Sequence, residues 1–346
     1  MDKLRLPRRS VLGGAAAVLA SPAIIRPAMA GGRCVVGTWG GDYARLLREN
    51  IDDPILKPEG VDVVQDVGDE APRFAKLVAQ RMLPRGSMDI ACFGSPNGFR
   101  AGAAGLTEKL DPAKAPNLKH VSKFLWSDYF VPHIWSALVI AYNPQTVTAP
   151  PQSFGDLLDP KWKGKVGTVS TIGFWLMMSA ALYASGNPND FEKAKPLILK
   201  LNANGLHLYP ETDNLAPAFK SGEIEVAMIW FARTVMWQNA GFPVKGRYPK
   251  EGAILYVSGM SIPKNAPDKD AAWKYVDAML VPSAQRGFAQ HMGYRPTVND
   301  ANLSGKIAEQ LAIPTPRPKL LQPDYAYTTK VQPEMQDWWD KNVQHA

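Results

Sequence analysis

The residues best suited to chemistry in this chain cluster where predicted strands end. Cys34-Val-Val-Gly37 reads as a short buried strand, and the glycine-broken turn after it carries Thr38 and Trp39. A helix then opens near Asp42 and runs through Tyr43, Leu46 and Leu47. Amides at such a helix start face outward with the positive end of the helix dipole, and ligands of open α/β sheets sit beyond the carboxyl ends of the strands. The turn is therefore a candidate pocket wall with an aromatic face. The alternative is a tight connection with Trp39 packed on its own lobe. Asp42 fits helix capping as well as ligand contact. Asp89 to Phe93 is another strand end, delivering Ser95 and Asn97 to the same edge. Val166 to Val169 leads into Ser170-Thr-Ile-Gly-Phe-Trp175. There Ser170 or Thr171 is an N-cap, or the uncapped amides form an anion or carboxylate site.

This is chemistry of capture. The chain holds no C-x-x-C, H-E-x-x-H, G-x-S-x-G or Walker sequence. Its five histidines (His120, His133, His207, His291, His345) offer no i, i+4 pair for a metal, so no metal or cofactor is expected. His133, close to Trp135, reads as a satisfied inter-lobe histidine rather than a base.

The elements that position these residues alternate. Strands at Cys34–Gly37, Val61–Val67 and Asp89–Phe93, with a helix opening at Glu70-Ala-Pro72 between the last two, indicate βαβ units and a parallel sheet. Trp135 to Asn143 is an extended strand entering a proline-rich stretch, as if crossing between lobes. Helices over Leu176–Tyr183 and Phe191–Asn202, strand-like Leu206–Pro210, a helix over Thr212–Phe219 and a buried strand Val226–Trp230 repeat the pattern. Glu251 to Pro263 is a return strand; an amphipathic helix over Asp270–Leu280 follows, then the segments Phe288–Met292 and Gly293–Pro296, and a Trp-rich helical tail starts at Pro333. Cys34 and Cys92 fall too far apart along neighbouring strands for a disulfide and are expected as buried thiols.

The first thirty residues stand apart. Lys3, Arg5, Arg8 and Arg9 precede the apolar run Val11–Ala20, and Ala28-Met-Ala30 is an A-x-A site. This is an export signal cleaved near Ala30, with Arg8-Arg9 resembling the twin-arginine consensus. The segment holds +4 of the formal charge of +7. The remaining +3, without a long basic run, does not imply nucleic acid. With 46% hydrophobic and 21% charged residues in 346, the chain has material for more than one domain.

Tyr142-Asn143, Ser153-Phe-Gly-Asp-Leu-Leu-Asp-Pro-Lys-Trp-Lys-Gly-Lys-Val166, Val226–Trp230, Glu251–Pro263 with Asn265-Ala266, and Gly293-Tyr-Arg-Pro296 resemble segments of bacterial solute-binding proteins that feed ABC importers. The nearest group in that resemblance is the spermidine/putrescine-binding proteins. It implies an α/β, two-lobed periplasmic-binding fold of type II, each lobe a mostly parallel sheet flanked by helices. The first lobe would comprise 31–138 and 258–320, the second 139–257, with 321–346 a helical tail packing on a lobe. It also implies a periplasmic monomer that delivers a small solute to a permease. Carried over, the cleft positions are Trp39, Tyr43, Ser95, the turn Ser170 to Phe174, Trp230, Tyr256, Ser258 and Tyr294.

Two positions depart from the polyamine pattern. The turn Ser170–Trp175 carries no acid, and Ser258 stands where that family has an aspartate. A buried ammonium without an anion is costly. In their place stand hydroxyls (Thr38, Ser95, Ser170, Thr171, Ser258) and Arg233, three residues past Trp230. Arg233 would grip a carboxylate or phosphonate in two-pronged fashion, or else pair at the surface with Glu223 or Glu225. Trp39, Tyr43, Trp230 and Tyr256 suit an alkylated ammonium, a flat ring or a sugar face. The expected ligand is anionic or zwitterionic, such as an amino-acid derivative, opine, betaine or aminophosphonate. A polyamine is the alternative, and an exported sensor or enzyme the further one.

Overall fold

The computed structural model describes residues 32–344; the expected export segment lies outside them. The first elements are β1 (Arg33–Thr38), α1 (Gly41–Leu47, continued by a π-helical stretch Arg48–Leu56), β2 (Asp62–Val67), α2 (Glu70–Ala79), β3 (Ile90–Gly94) and α3 (Ser95–Ala103). β1 pairs parallel with both β2 and β3, as alternation of strand and helix demands. The β1–β3 register aligns Val36 with Ile90. Cys92 is thus level with Thr38 and not with Cys34, and both thiols are free and buried.

The chain then enters β4 (Val131–Tyr142). Every residue of β4 before Tyr142 is buried, and its unbroken apolar run from Ala137 to Ala141 marks a strand covered on both faces. β5 (Val166–Val169), α4 (Gly173–Ser185), α5 (Phe191–Ala203), β6 (His207–Tyr209), α6 (Leu215–Ser221), β7 (Val226–Trp230), α7 (Phe231–Asn239) and β8 (Lys245–Arg247) follow. The chain returns on β9 (Ala253–Ser261), then α8 (Lys269–Met279), α9 (Pro282–Met292), β10 (Arg295–Pro296), α10 (Gly305–Leu311), β11 (Leu320–Leu321) and α11 (Tyr325–Trp339). Several elements differ from their sequence-based limits. β4 starts four residues before Trp135 and α11 starts at Tyr325, while the Thr212–Phe219 segment splits into a 3-10 turn and α6.

The sheet order is β2-β1-β3-β9-β4-β7-β5-β6. The segment of β4 from Val131 to Ala137 pairs with β9, and the segment from Leu138 to Tyr142 with β7. One strand therefore belongs to both halves of the sheet. Separate cores flank it, one containing Leu46, Ile90, Tyr275 and Phe288, the other Phe154, Met177, Ile198 and Ile229. α11 is not confined to one side. It touches both α3 and α4, with Tyr325 tilted against Phe99 and with Met335 and Trp339 sunk in the second core.

β4 and β9 come close at Gly259, where a Cβ would overlap the Val131 carbonyl oxygen. β4 shifts register there, between Pro132 and Ile134. Gly259→Ala must push two backbones apart and should lower unfolding stability by about 1–3 kcal/mol, the usual range for overpacking. Urea denaturation reads this directly, and wild-type stability in the variant would mean that the two strands do not pack this tightly.

Candidate ligand-binding cleft

β1, β4, β9 and the starts of α1 and α7 converge on a cavity of about 340 Å³. Trp39, Asp42, Tyr43, Arg233, Tyr256, Ser258 and Tyr294 line it, together with Gly40, Ile134, Met236 and Met292. Seven of the thirteen residues expected from sequence are thus gathered at one place.

Each is held by its element. Trp39 follows the last residue of β1 and is braced from behind by Arg73, whose guanidinium carbon lies 5.4 Å from the indole centroid. Arg73 is itself fixed by the Cys92 and Gly68 carbonyls at 2.7 and 2.6 Å, and its burial lowers its pKa. Tyr43 meets Trp39 edge-on at 5.0 Å. Tyr256 and Ser258 alternate on β9 and so share a face. Tyr294 is turned inward by Gly293, which ends α9 at φ 66° and lies so close to Ala232 that a Cβ would meet its carbonyl oxygen at 2.7 Å.

Three groups give the cavity its polarity. Arg233 sits in the first turn of α7, half-buried, with Nε buried and without a partner among the described residues. It forms no pair with Glu223 or Glu225; Glu223 instead accepts from the Tyr209 hydroxyl at 2.6 Å. Ser258 Oγ is likewise buried, beside the Tyr43 and Tyr256 hydroxyls, without a well-aligned hydrogen bond among the described residues. Asp42 is exposed at the rim and engaged by Arg45 at 3.0 Å.

Beneath the cavity, the Tyr43 hydroxyl and His133 Nδ1 are 2.8 Å apart, and His133 Nε2 has no described partner. One of the two donates in this bond, the imidazole N–H or the Tyr43 O–H, according to the tautomer. Complete burial pushes the imidazole pKa down to about 3 and holds the Tyr43, Tyr256 and Tyr294 phenols above their usual value. All four groups are neutral at pH 7.

The other six residues lie elsewhere. Thr38 is buried between strands. Ser95 donates to the Val257 carbonyl at 2.9 Å. Ser170 reaches the Tyr209 carbonyl at 3.4 Å, Thr171 points to solvent, and neither caps α4. The α4 N-terminus is instead packed by Trp339 against Gly173, which removes it as an open anion site. Phe174 stacks on Phe191 inside the second core. Trp230 is 9% exposed and buttresses Tyr256 at 5.0 Å and Trp175 at 5.6 Å.

A neighbouring cavity of about 480 Å³ opens on the far side of Tyr256, between Glu70, Asn97 and Arg100 on one side and Trp175 and α11 on the other. Sequence reading treated Glu70 only as a helix opener. Its carboxylate accepts from Asn97 Nδ2 at 2.6 Å and the Gly94 amide at 3.1 Å, and burial raises its pKa. Met236, also missed, was legible as the residue one turn after Arg233 on the same helix face.

The chain matches the model of the bacterial extracellular solute-binding proteins over residues 60–315 and belongs to that family. A spermidine/putrescine-binding periplasmic protein of Escherichia coli (strain K12) is 31% identical over 211 residues, which cover 56% of this chain and 59% of that protein. Two solved structures share the fold. One is a GABA receptor with TM-score 0.77, 22% identity and coverage of 89% and 96% of the two chains. The other is the binding protein MotA of A. tumefaciens B6 with glucopine, with TM-score 0.70, 21% identity and coverage of 90% and 99%. The architecture is thus the type II periplasmic-binding fold.

Because His133 is neutral in the fold and ordinary when unfolded, its contribution has a definite sign. The unfolded chain takes up a proton near pH 6.5 and the folded one only near pH 3. Stability from this residue is therefore complete above about pH 6.5 and lost as pH falls toward 3, with a slope of about 1.4 kcal/mol per pH unit. In His133→Gln that component of the slope should vanish. Unfolding free energies measured across this window test it, and equal slopes in the two proteins would refute a buried neutral imidazole.

Proposed function

We propose that this protein is the exported substrate-binding component of an ABC importer. Secreted into the periplasm with its leader cleaved near Ala30, it works as a monomer. It captures a small solute between lobes hinged on β4 and β9 and hands it to a membrane permease. The supporting points are family membership, the inter-lobe cleft, and the name of the periplasmic relative. Binding without catalysis is the reading, since the cleft residues are aromatic walls and fixed donors with neutral phenols. A ligand drives closure only through contacts made in the closed state alone.

For the ligand, the observation that carries most is Arg233, whose buried Nε lacks an acceptor beside the Ser258 hydroxyl. Leaving such donors dry costs about 1–3 kcal/mol each, and a carboxylate or phosphonate placed there would satisfy both. Trp39, Tyr43, Tyr256 and Tyr294 would enclose the ligand's body. An anionic or zwitterionic compound, of the amino-acid-derivative, opine, betaine or aminophosphonate kind, is the assignment. Solved neighbours are named for GABA and glucopine, which fits such chemistry.

A polyamine is the second reading, favoured by the relative's name and by Glu70 beyond Tyr256. Against it, Asp42 is already paired with Arg45 and Glu70 is already bonded to Asn97 and Gly94.

Calorimetric titration of the stripped protein with GABA, a betaine, an opine, putrescine and spermidine separates these readings. Binding of a carboxylate ligand should weaken at least tenfold in Arg233→Ala, about 1.4 kcal/mol or more. Tight binding of putrescine that Arg233→Ala leaves intact, but Glu70→Gln abolishes, would replace the anionic assignment with the cationic one.

A further inference from the structure

A cavity of about 770 Å³ lies away from the cleft. Its walls carry five cations, Lys245, Arg247, Lys250, Arg317 and Lys319, against one carboxylate, Glu309. None of the five has an ion-pair partner among the described residues, whereas Lys76, Lys269 and Arg45 each have one. Lys245 and Arg247 alternate on β8 and so share a face. Arg317 and Lys319 approach from the proline-rich segment before β11, which the Ala253 amide anchors by donating to the Lys319 carbonyl at 2.8 Å.

A second observation comes from under this cavity. Phe231 and Tyr248, stacked at 5.6 Å, form part of its lining. Arg295 lies 4.4 Å from the Phe231 centroid and 5.9 Å from that of Tyr248. Arg295 is 4% exposed, its Nε donates to the Leu311 carbonyl at 3.0 Å, and both Nη atoms lack partners among the described residues. The buried Tyr248 hydroxyl lies beside the same guanidinium and forms no well-aligned hydrogen bond among the described residues. A buried guanidinium with no counter-charge is among the most expensive arrangements a fold can keep. Aromatic faces offset only part of that cost.

We propose that this cavity is a second binding site, for a small multivalent oxyanion bearing phosphate or several carboxylates. One singly charged anion would neutralise little of the cluster, while a multivalent one engages both walls and lends a counter-charge to Arg295. The tyrosine, phenylalanine and proline lining accommodates an apolar body attached to the charged group. The walls are borne by β8, paired with β4, and by the segment leading into β11, paired with β9. The bound anion would therefore join the two strands that cross between lobes. This site is independent of the cleft and of whatever the cleft carries.

Inorganic pyrophosphate is the probe, titrated into the purified protein by calorimetry with sodium chloride fixing the ionic strength. Saturable one-to-one binding is expected, weakened at least tenfold both in Lys245→Gln/Arg247→Gln and in Arg317→Gln/Lys319→Gln, and unchanged in Arg233→Ala. The two double variants change opposite walls, so misfolding of one leaves the other to decide. Absence of saturable binding, equal affinity in a folded double variant, or loss of binding in Arg233→Ala would each overturn the proposal.

Discussion

Everything in this fold hangs on the antiparallel pairing of β4 with β9. The pairing brings Ile134 opposite Ser258 and Ser136 opposite Tyr256, and so builds the floor of the cleft from two strands that also connect the lobes. β4 continues past Ala137 to pair with β7, so one strand serves both halves of the sheet. The glycine at position 259 allows the backbones of β4 and β9 to come close.

The cleft has an uneven distribution of satisfied and unsatisfied polar groups. Several of its supports are bonded: Arg73 grips two carbonyls behind Trp39, Ser95 is tied to Val257, and Ser136 accepts from the Ala232 amide at 3.0 Å. Its lining is not, for Arg233 Nε is buried without a partner and Ser258 Oγ without a well-aligned hydrogen bond among the described residues. Native proteins seldom leave buried donors unmade, and the bonded supports contrast with the unbonded lining. Neutral phenols and a neutral imidazole surround these donors. The one cation in the lining is therefore opposed only by the rim carboxylate of Asp42, already engaged.

Two compartments meet at Tyr256, one with Arg233 and one with Glu70. Trp230 stands behind that tyrosine and joins it to Trp175 on α4. The position of a single aromatic thus couples both compartments to the second lobe. Trp230 acts here as a wall behind the wall.

Local periodicity was enough to read the alternation of strands and helices, the parallel start of the sheet, the crossing strand around Ala137–Ala141, and the aromatic turn at Trp39 and Tyr43. These follow from patterns within ten or so residues, and burial on both faces leaves an unbroken apolar run that no other element explains. Recurrent segments such as Trp162-Lys-Gly-Lys165 carried the family. Tertiary structure decided the rest, because it depends on residues far apart in the chain. Phe174 reads like a pocket aromatic but stacks on Phe191, and Ser170 reads like a cap but faces Tyr209. Glu70 reads like a helix opener but reaches Asn97 across 27 positions. Whether a hydroxyl lines a cavity or bonds a carbonyl is set by which strand lies beside it, and strand order is a property of the whole sheet.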